Sequence, residues 1–392
     1  MLSVLSRARK SLGRVAFGLA ALALAACQPV VGPNAGGGAV DPGTAVVVAL
    51  LVPGGSGQAS DELLARSLQN AARLAISDLA TSRIDLRVYN TAGQPAQAQA
   101  MATQAINDGA RIILGPVFAQ EANAAGVAAA AQGVNVLAFS NNPDIAGGNV
   151  FILGPTFANT ATRLAGYSVR NGKRRIMVVH EQNTAGNLGR TAIEQGVARA
   201  GGSVVGVGSY EFSQNGVVVA APGIAAAARA NAADALFLTA DTAGALPLIS
   251  QLLADNGMGP AVTQFIGLTR WDIPQATLAL PGVQGGWFAL PDPALYQQYQ
   301  SRYQTAFGEA PHPISGLAYD GIAAIGALLK RGNATALSSA ALTQGAGFVG
   351  VNGIFRLRSD GLNERGLAVA QVRNNQVVIV DPAPRSFGGF GF

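Results

Sequence analysis

The chain has 392 residues, of which 49% are hydrophobic and 12% are charged. Its formal net charge is +5, but Arg7, Arg9, Lys10 and Arg14 supply most of the excess, so the rest of the chain is close to neutral. The chain also lacks a basic stripe with interleaved aromatic residues. Nucleic-acid binding is therefore excluded as the expected function.

The residues behind this basic segment have the features of a removable bacterial export signal. Residues 15–25 form an apolar stretch that is too short to span a bilayer as a stable helix, and the sequence LAAC closes it at Cys27. The element resembles a lipoprotein signal peptide, residues 1–26, whose lipobox cysteine is acylated and becomes the first residue of the mature protein. The alternative is a buried apolar helix in which Cys27 is a small hydrophobic residue. Gln28 fits outer-membrane sorting in the enterobacterial rule.

The residues after Cys27 predict a tether and then a folded region without disulfides. Residues 27–43 are rich in Gly and Pro and have no helical or strand period, which is typical of a flexible spacer. Acylation of Cys27, the one cysteine, leaves no thiol for a disulfide, so the fold has to depend on its core. The folded region starts near Thr44 and is long enough for two domains, and residues 383–392 are expected to form a flexible tail.

Short β-branched runs alternate with longer amphipathic stretches twice along the chain, which indicates βαβ units around parallel sheets. The first series has predicted strands at residues 45–52, 84–88, 112–114 and 134–139 and helices at 64–79, 95–108 and 120–132. The second has helices at 164–169, 188–200, 224–230 and 243–256 and strands at 175–180, 204–210 and 235–239. Strands at 265–268 and 286–290, helices at 294–307 and 315–331, and antiparallel strands at 353–357, 367–373 and 377–380 follow.

Seven segments in this order carry a resemblance to a known family. They are VVVALLVPGGSG at 46–57, GPVFAQEANAAGV at 115–127, VLAFSNNPDI at 136–145, FILGP at 151–155, RRIMVVHEQNTAGNLGR at 174–190, LAYDGIAAIGALL at 317–329 and FVGVNGIFRLRSDGLNERGLAV at 348–369. Over residues 44–382 the chain looks like the type I periplasmic binding proteins. It is similar to the leucine/isoleucine/valine-binding branch and to the penicillin-binding protein activators.

This resemblance implies an α/β fold of two Rossmann-like lobes with ligand between them. Three hinge crossings are expected near Gly154, Leu290 and Gly345. Lobe 1 then contains residues 44–154 and 291–345, and lobe 2 contains residues 155–290 and 346–382.

Comparison with the amino-acid-binding relatives predicts a cleft that lacks several usual contacts. The loop at residues 117–121 has no hydroxyl group, and Ala185 stands where a covering aromatic residue is common. A zwitterion that is removed from water needs its charges paired, so a standard amino-acid site is doubtful. The candidate cleft residues are Gln120, Ser140, Asn141, His180, Glu181, Asp241, Arg270 and Trp271. A capping or turn role is an equal alternative for each polar residue, and loop packing is an equal alternative for Trp271.

An enzyme is not expected. The two histidines, His180 and His312, lie far apart in sequence, and the chain has no HExxH motif, cysteine pair or nucleophile elbow. The glycine-rich segment 54–57 lacks the lysine and spacing of a phosphate-binding loop, so we interpret it as a βα turn. No cofactor and no metal are expected.

Two functions follow as expectations. The first is a lipid-anchored periplasmic activator, held at the outer membrane, that stimulates a penicillin-binding protein, which is a peptidoglycan synthase, by protein contact. The second is the substrate-binding lipoprotein of an ABC importer for amino acids or similar small polar solutes, with an ABC permease as its partner.

Overall fold

The computed structural model describes residues 40–41, 43–79 and 83–388. The predicted signal, Cys27 and most of the tether lie outside the described residues. The first series of elements is β1 (Val46–Val52), α1 (Ala59–Asp78), β2 (Ile84–Asn90), α2 (Pro95–Asn107), β3 (Ile112–Leu114), α3 (Ala119–Ala130), β4 (Asn135–Ala138) and β5 (Val150–Ile152).

The second series follows after a crossing between β5 and α4. It consists of α4 (Phe157–Arg170), β6 (Arg175–Glu181), α5 (Thr184–Arg199), β7 (Ser203–Tyr210), α6 (Gln214–Ala230), β8 (Ala235–Leu238), α7 (Leu246–Asp255), β9 (Gln264–Gly267) and β10 (Trp287–Leu290). The last elements are α8 (Pro293–Phe307), α9 (Gly316–Leu329), α10 (Ser339–Leu342), β11 (Phe348–Gly350), β12 (Gly353–Leu357), β13 (Asn363–Arg365), β14 (Ala368–Arg373) and β15 (Gln376–Asp381).

The first lobe is built on a sheet of five parallel strands in the order β2-β1-β3-β4-β5. Its β1 strand is the continuous apolar run VVVALLV because helices cover both faces of the sheet. Helices α1 and α9 bury Leu68 and Ile322 on one face, and α2 and α3 bury Ala102 and Ala125 on the other. Helix α8 also belongs to this lobe, since its Tyr299 lies in the same core.

The second lobe is built on a sheet of seven strands in the order β15-β14-β10-β9-β8-β6-β7. Strands β6 to β10 run parallel to one another, and β14 pairs antiparallel with both β10 and β15. Helices α4 and α5 bury Leu164 and Ile193 on one face, and α6 and α7 bury Ile224 and Ile249 on the other. The predicted α/β class with two parallel-sheet lobes is confirmed.

The third crossing lies later in the chain than the predicted Gly345. Phe348 and Phe355, which lie on the small antiparallel sheet β11-β12-β13, are buried in the core of the first lobe. The chain enters the second lobe at Leu367, whose side chain is buried in that lobe's core. The assignment of residues 346–365 to lobe 2 was wrong because an antiparallel strand pattern does not indicate which core the strands cover.

A buried ion pair joins the first lobe to two of the crossings. Arg365, at the end of β13, contacts Asp320 of α9 at 3.0 Å, and the two side chains are 2% and 0% exposed. The guanidinium Nε also donates to the carbonyl of Leu153, at the crossing after β5, at 2.9 Å. The Asn352 side-chain amide donates to the same Asp320 oxygen, Oδ2, at 3.0 Å, and the Asn352 backbone N–H donates to Oδ1 at 3.3 Å, so both carboxylate oxygens accept hydrogen bonds. Its charge-assisted hydrogen bonds compensate for the removal of both charges from water.

Asn363 makes a second connection between the crossings. Its side-chain amide donates to the carbonyls of Ile152 and Gly154, at 2.8 and 2.9 Å. The Asn159 amide of α4, in the second lobe, donates in turn to the backbone carbonyl of Asn363 at 2.9 Å. The first and third crossings are therefore held against one another by side-chain to backbone hydrogen bonds.

We expect Asp320→Ala to lower the free energy of unfolding by about 3–5 kcal/mol, because it leaves the Arg365 guanidinium buried without its counter-charge. Asp85→Ala is the matched control, since Asp85 pairs with Arg87 at the surface, where both side chains are 42% exposed. The control should change stability by about 1 kcal/mol or less. Urea denaturation measures both values. Equal losses in the two variants would contradict the role given to the buried pair.

Candidate functional site

Polar side chains gather where the parallel strands end. Gln120, Ser140 and Asn141 follow β3 and β4, which are neighbours in the first sheet. In the second sheet, His180 and Glu181 end β6, while Asp241 follows β8 and Arg270 follows β9. Since parallel strands end at the same edge, each lobe collects its own set at its carboxyl edge, which is where open α/β sheets bind ligands.

In the first lobe, the three predicted residues differ in how free their side chains are. Gln120 in the first turn of α3 and Asn141 after β4 are exposed. Ser140 is 5% exposed, and its hydroxyl oxygen accepts from the backbone N–H of Asn142 at 3.1 Å. Its oxygen therefore serves the turn, as the capping alternative allowed.

Sequence reasoning did not single out Glu121, which stands beside Gln120. Its carboxyl group is completely buried at the start of α3. Burial raises the pKa of Glu121. The available signal was its position as the third residue of a helix that follows a buried strand, but a first-turn glutamate is ordinarily exposed and stabilises the helix end.

In the second lobe, His180 and Glu181 are buried and serve local structure. The His180 Nδ1 lies 2.9 Å from the backbone oxygen of Glu181. The Tyr210 hydroxyl donates to the Glu181 carboxylate at 3.2 Å. Burial raises the pKa of Glu181, the Tyr210 hydrogen bond opposes this, and the negative charge of Asp241 adds to the rise.

Asp241 is exposed and acts in a turn. Its carboxylate accepts from the backbone N–H of Gly244. The exposed ring of Phe212 lies next to this turn. A Cβ atom added to Gly244 would be 3.5 Å from the ring. Phe118, in the loop after β3, is 41% exposed. Both carboxyl edges therefore present apolar rings as well as polar groups.

Trp271 does not line a cleft, so this candidate was wrong. Its side chain is fully buried in the core of the second lobe and stacks on Phe288, with ring centroids 6.3 Å apart. A Cβ on Gly267 or Gly286 would stand 2.3 Å from the indole, so two glycines make the space for the ring. Those glycines at the strand ends were the signal in the sequence. Trp287, which was expected in the core, is buried.

Arg270 lies where the second lobe meets the first. Its Nε donates to Asp272 at 2.9 Å, and one terminal nitrogen makes a second contact with the same carboxylate. Tyr296 of α8, in the first lobe, lies close enough for the charge of Arg270 to affect its pKa. Burial raises the pKa of Tyr296, and the Arg270 charge partly opposes this.

A pocket of about 180 Å³ lies between the lobes at this point, and we call it the interlobe pocket. The second lobe contributes Arg270, Ile273 and Leu290 to its walls. The first lobe contributes Ile314 and Leu317. Arg270 is the predicted candidate that lines it, and the apolar walls were missed because their residues come from separate parts of the sequence.

His312, in the segment before α9, is half-buried. The backbone N–H of His312 donates to the Ser67 hydroxyl at 2.7 Å, and burial lowers the pKa of the imidazole. Pro313, the next residue, lines the interlobe pocket.

The described part of the chain contains neither a metal-binding cluster nor a membrane-spanning helix. Within residues 40–41, 43–79 and 83–388, no group of His, Cys, Asp and Glu side chains is arranged to hold a metal ion. In the same part of the chain, no helix combines the length and apolar character that crossing a membrane requires.

Solved structures share this fold over their full length. A protein from Rhodospirillum rubrum, described as a branched-chain amino acid ABC transporter, aligns with a TM-score of 0.72 at 19% identity, over 86% of this chain and 100% of its own. A substrate-binding protein from Desulfitobacterium hafniense in complex with Leu aligns with a TM-score of 0.64 at 17% identity, over 86% and 99%.

A third relative was solved with an aromatic acid. It is a solute-binding protein of an ABC transporter from Rhodopseudomonas palustris, in complex with 3,4-dihydroxybenzoic acid. It aligns with a TM-score of 0.58 at 18% identity, over 87% of this chain and 98% of its own. At these identities the likeness establishes the fold alone.

Sequence comparison gives the family. No curated protein matches the chain by sequence. Residues 45–376, which include all three crossings and every strand of the two parallel sheets up to β14, match the family described as periplasmic binding protein. The chain therefore belongs to the periplasmic binding protein family.

Proposed function

We propose that the protein is a non-catalytic periplasmic receptor that binds a small carboxylate with an apolar body and delivers it to an ABC importer. The observation that carries this proposal is the interlobe pocket, in which the Arg270 guanidinium stands among apolar side chains of both lobes. Small-molecule sites are typically apolar concavities with a few placed polar groups.

The walls of the pocket favour an apolar body of modest size. Ile273, Leu290, Ile314 and Leu317 provide branched apolar surface from opposite sides. The volume of about 180 Å³ is small for a ligand site, which favours a compact molecule such as a branched-chain or aromatic acid. Hinge closure around such a molecule would bury it further.

The polar groups favour a carboxylate over a zwitterion. The ion pair with Asp272 uses Nε and one terminal nitrogen of Arg270, and the other terminal nitrogen is a donor for a ligand carboxylate. A ligand ammonium would need an anionic partner, but the lining of the interlobe pocket includes Arg270 and Arg365 and no acidic residue. Burial of an unpaired ammonium is costly, so we infer that an acid without an amino group binds better.

The relatives support this reading. Proteins of the same fold are described as ABC transporter substrate-binding proteins, and two were solved with Leu and with 3,4-dihydroxybenzoic acid. Both molecules combine a carboxylate with a compact hydrocarbon body, which carries two hydroxyl groups in the aromatic acid. This favours the importer function over the activator function expected first from the sequence.

One structural observation supports the activator function. Val218 and Val219 on α6 are 49% and 71% exposed, and Val207 on the outermost strand β7 is 40% exposed. Exposed apolar side chains on one lobe suit contact with another protein.

Benzoate and 3-methylbutanoate should raise the thermal midpoint of the protein, because a ligand at a hundred times its dissociation constant stabilises the native state by about 2.7 kcal/mol. Leucine should give a smaller shift, since its ammonium lacks a partner. Differential scanning calorimetry at matched pH and ionic strength measures all three.

Arg270→Gln tests the site behind these shifts. The loss of a charge-assisted hydrogen bond should weaken carboxylate binding by about tenfold or more. Arg170→Gln is the matched control, because Arg170 pairs with Asp381 at the far end of α4 and is 44% exposed. The receptor proposal fails if no acid in a broad panel shifts the midpoint, and the assigned pocket is wrong if both variants bind like the wild type.

The activator function predicts a stable complex with a bifunctional penicillin-binding protein. Crosslinking on membranes should recover the synthase, and Val218→Ser with Val219→Ser should reduce recovery without changing the thermal midpoint by more than a few degrees. Val262→Ser, an exposed valine elsewhere on the same lobe, is the control. Failure to recover any synthase would eliminate this function.

We further propose that Cys27 carries the lipid that holds the receptor at the membrane, on the strength of the LAAC sequence and the spacer after it. Cys27→Ala should abolish palmitate labelling and move the protein from the membrane fraction to the soluble periplasmic fraction. Acylation with two or three chains gives stable anchoring, so the shift should be nearly complete. Labelling that persists in the variant would contradict the assignment.

A further inference from the structure

A second cavity, of about 570 Å³, lies beside the third crossing. One wall comes from α4 and α5 of the second lobe, and the other comes from β12, β13 and the turn between them in the first lobe. Arg365 lines both this second cavity and the interlobe pocket. We call the second cavity the hinge cavity.

The hinge cavity has an arginine-rich lining with a modest excess of positive charge. Five of its residues are arginines and two are acidic. The arginines are Arg163, Arg199, Arg356, Arg358 and Arg365, and the acids are Asp360 and Glu364. The chain beyond its N-terminal basic residues is nearly neutral, so this concentration is local.

Two of these arginines form a rigid part of the lining. Arg163 is 5% exposed, and its guanidinium donates to the carbonyl of Leu367 and to the Asp381 carboxylate. Arg365 is held by Asp320 and Leu153. The counter-charges Asp320 and Asp381 do not line the cavity. These guanidiniums are held in place by their partners inside the protein, so they form a fixed wall, and the contacts to an anion have to come from the accessible arginines.

Three further arginines are accessible. Arg356 and Arg358 share the carboxylate of Glu364, at 2.7 Å and 3.5 Å, and Arg358 also pairs with Asp360. Arg199, the last residue of α5, is exposed and has no ion-pair partner within the described part of the chain. Positive charge therefore exceeds negative charge at the mouth of the cavity.

We propose that the hinge cavity is a second binding site, for a small multivalent oxyanion that carries phosphate or carboxylate groups. Planar guanidinium groups bind such oxygens in pairs of parallel hydrogen bonds, which several arginines at once can offer. The side chains of Thr162 and Gln195 add neutral donors to the same lining. The volume of about 570 Å³ is in the range of small-molecule sites.

An anion in this site would contact both lobes beside a hinge crossing. Arg199 belongs to the second lobe and Arg358 to the first, so one anion that binds both joins the lobes beside the third crossing. This site is independent of the ligand that we propose for the interlobe pocket.

Inorganic pyrophosphate and citrate are the probes for the test, with sodium chloride at equal ionic strength as the reference, because nonspecific screening acts on all exposed charges. Isothermal titration calorimetry of the purified protein should show saturable binding of at least one probe. The double variant Arg199→Gln with Arg358→Gln should bind that probe about tenfold more weakly or worse.

Arg190→Gln is the matched control. Arg190 lies on the same helix as Arg199, is 43% exposed and pairs with Glu194 outside the cavity. It should bind the probe as tightly as the wild type. Circular dichroism should show that all variants keep their fold, since the replaced side chains are exposed. Absence of binding for both probes at millimolar concentration, or equal affinity in the double variant and wild type, would overturn the proposal.

Discussion

The ion pair between Arg365 and Asp320 is the contact on which the two-lobed arrangement depends. Both groups are removed from water, so the pair stabilises the structure only because Leu153 and Asn352 complete its hydrogen bonds. Arg365 lies immediately before the chain enters the second lobe, and Leu153 lies where the chain first leaves the first lobe. The pair therefore fixes two crossings to the helix α9, and movement of the lobes has to take place around it.

The interlobe pocket and the hinge cavity both adjoin the rigidly held Arg365 guanidinium, and their linings differ. Arg365 lines both the interlobe pocket and the hinge cavity. Since its guanidinium is held by Asp320, it supplies a fixed boundary rather than a mobile contact. The chemistry of each space is then decided by the other residues, which are apolar in the interlobe pocket and mostly arginine or polar in the hinge cavity.

The sequence predicted the helices and strands well, but it did not predict features that depend on contacts between distant segments. Buried parallel strands such as β1 are continuous apolar runs, and helices such as α1 repeat apolar residues at the helical period, so both are visible locally. The third crossing depends on which core receives Phe355, and the position of Trp271 depends on space left by Gly267 and Gly286. Both are properties of contacts between distant segments.

The polar candidates illustrate the same limit at the site. Position after a strand correctly brings a residue to the carboxyl edge, but it does not say whether a side chain is already engaged. Ser140 and Asp241 accept from the backbone of their own turns, and Glu181 accepts from Tyr210. None of these three residues lines the interlobe pocket, whose lining has Arg270 and Arg365 but no acidic residue, and this supports the proposed preference for an acid over a zwitterion.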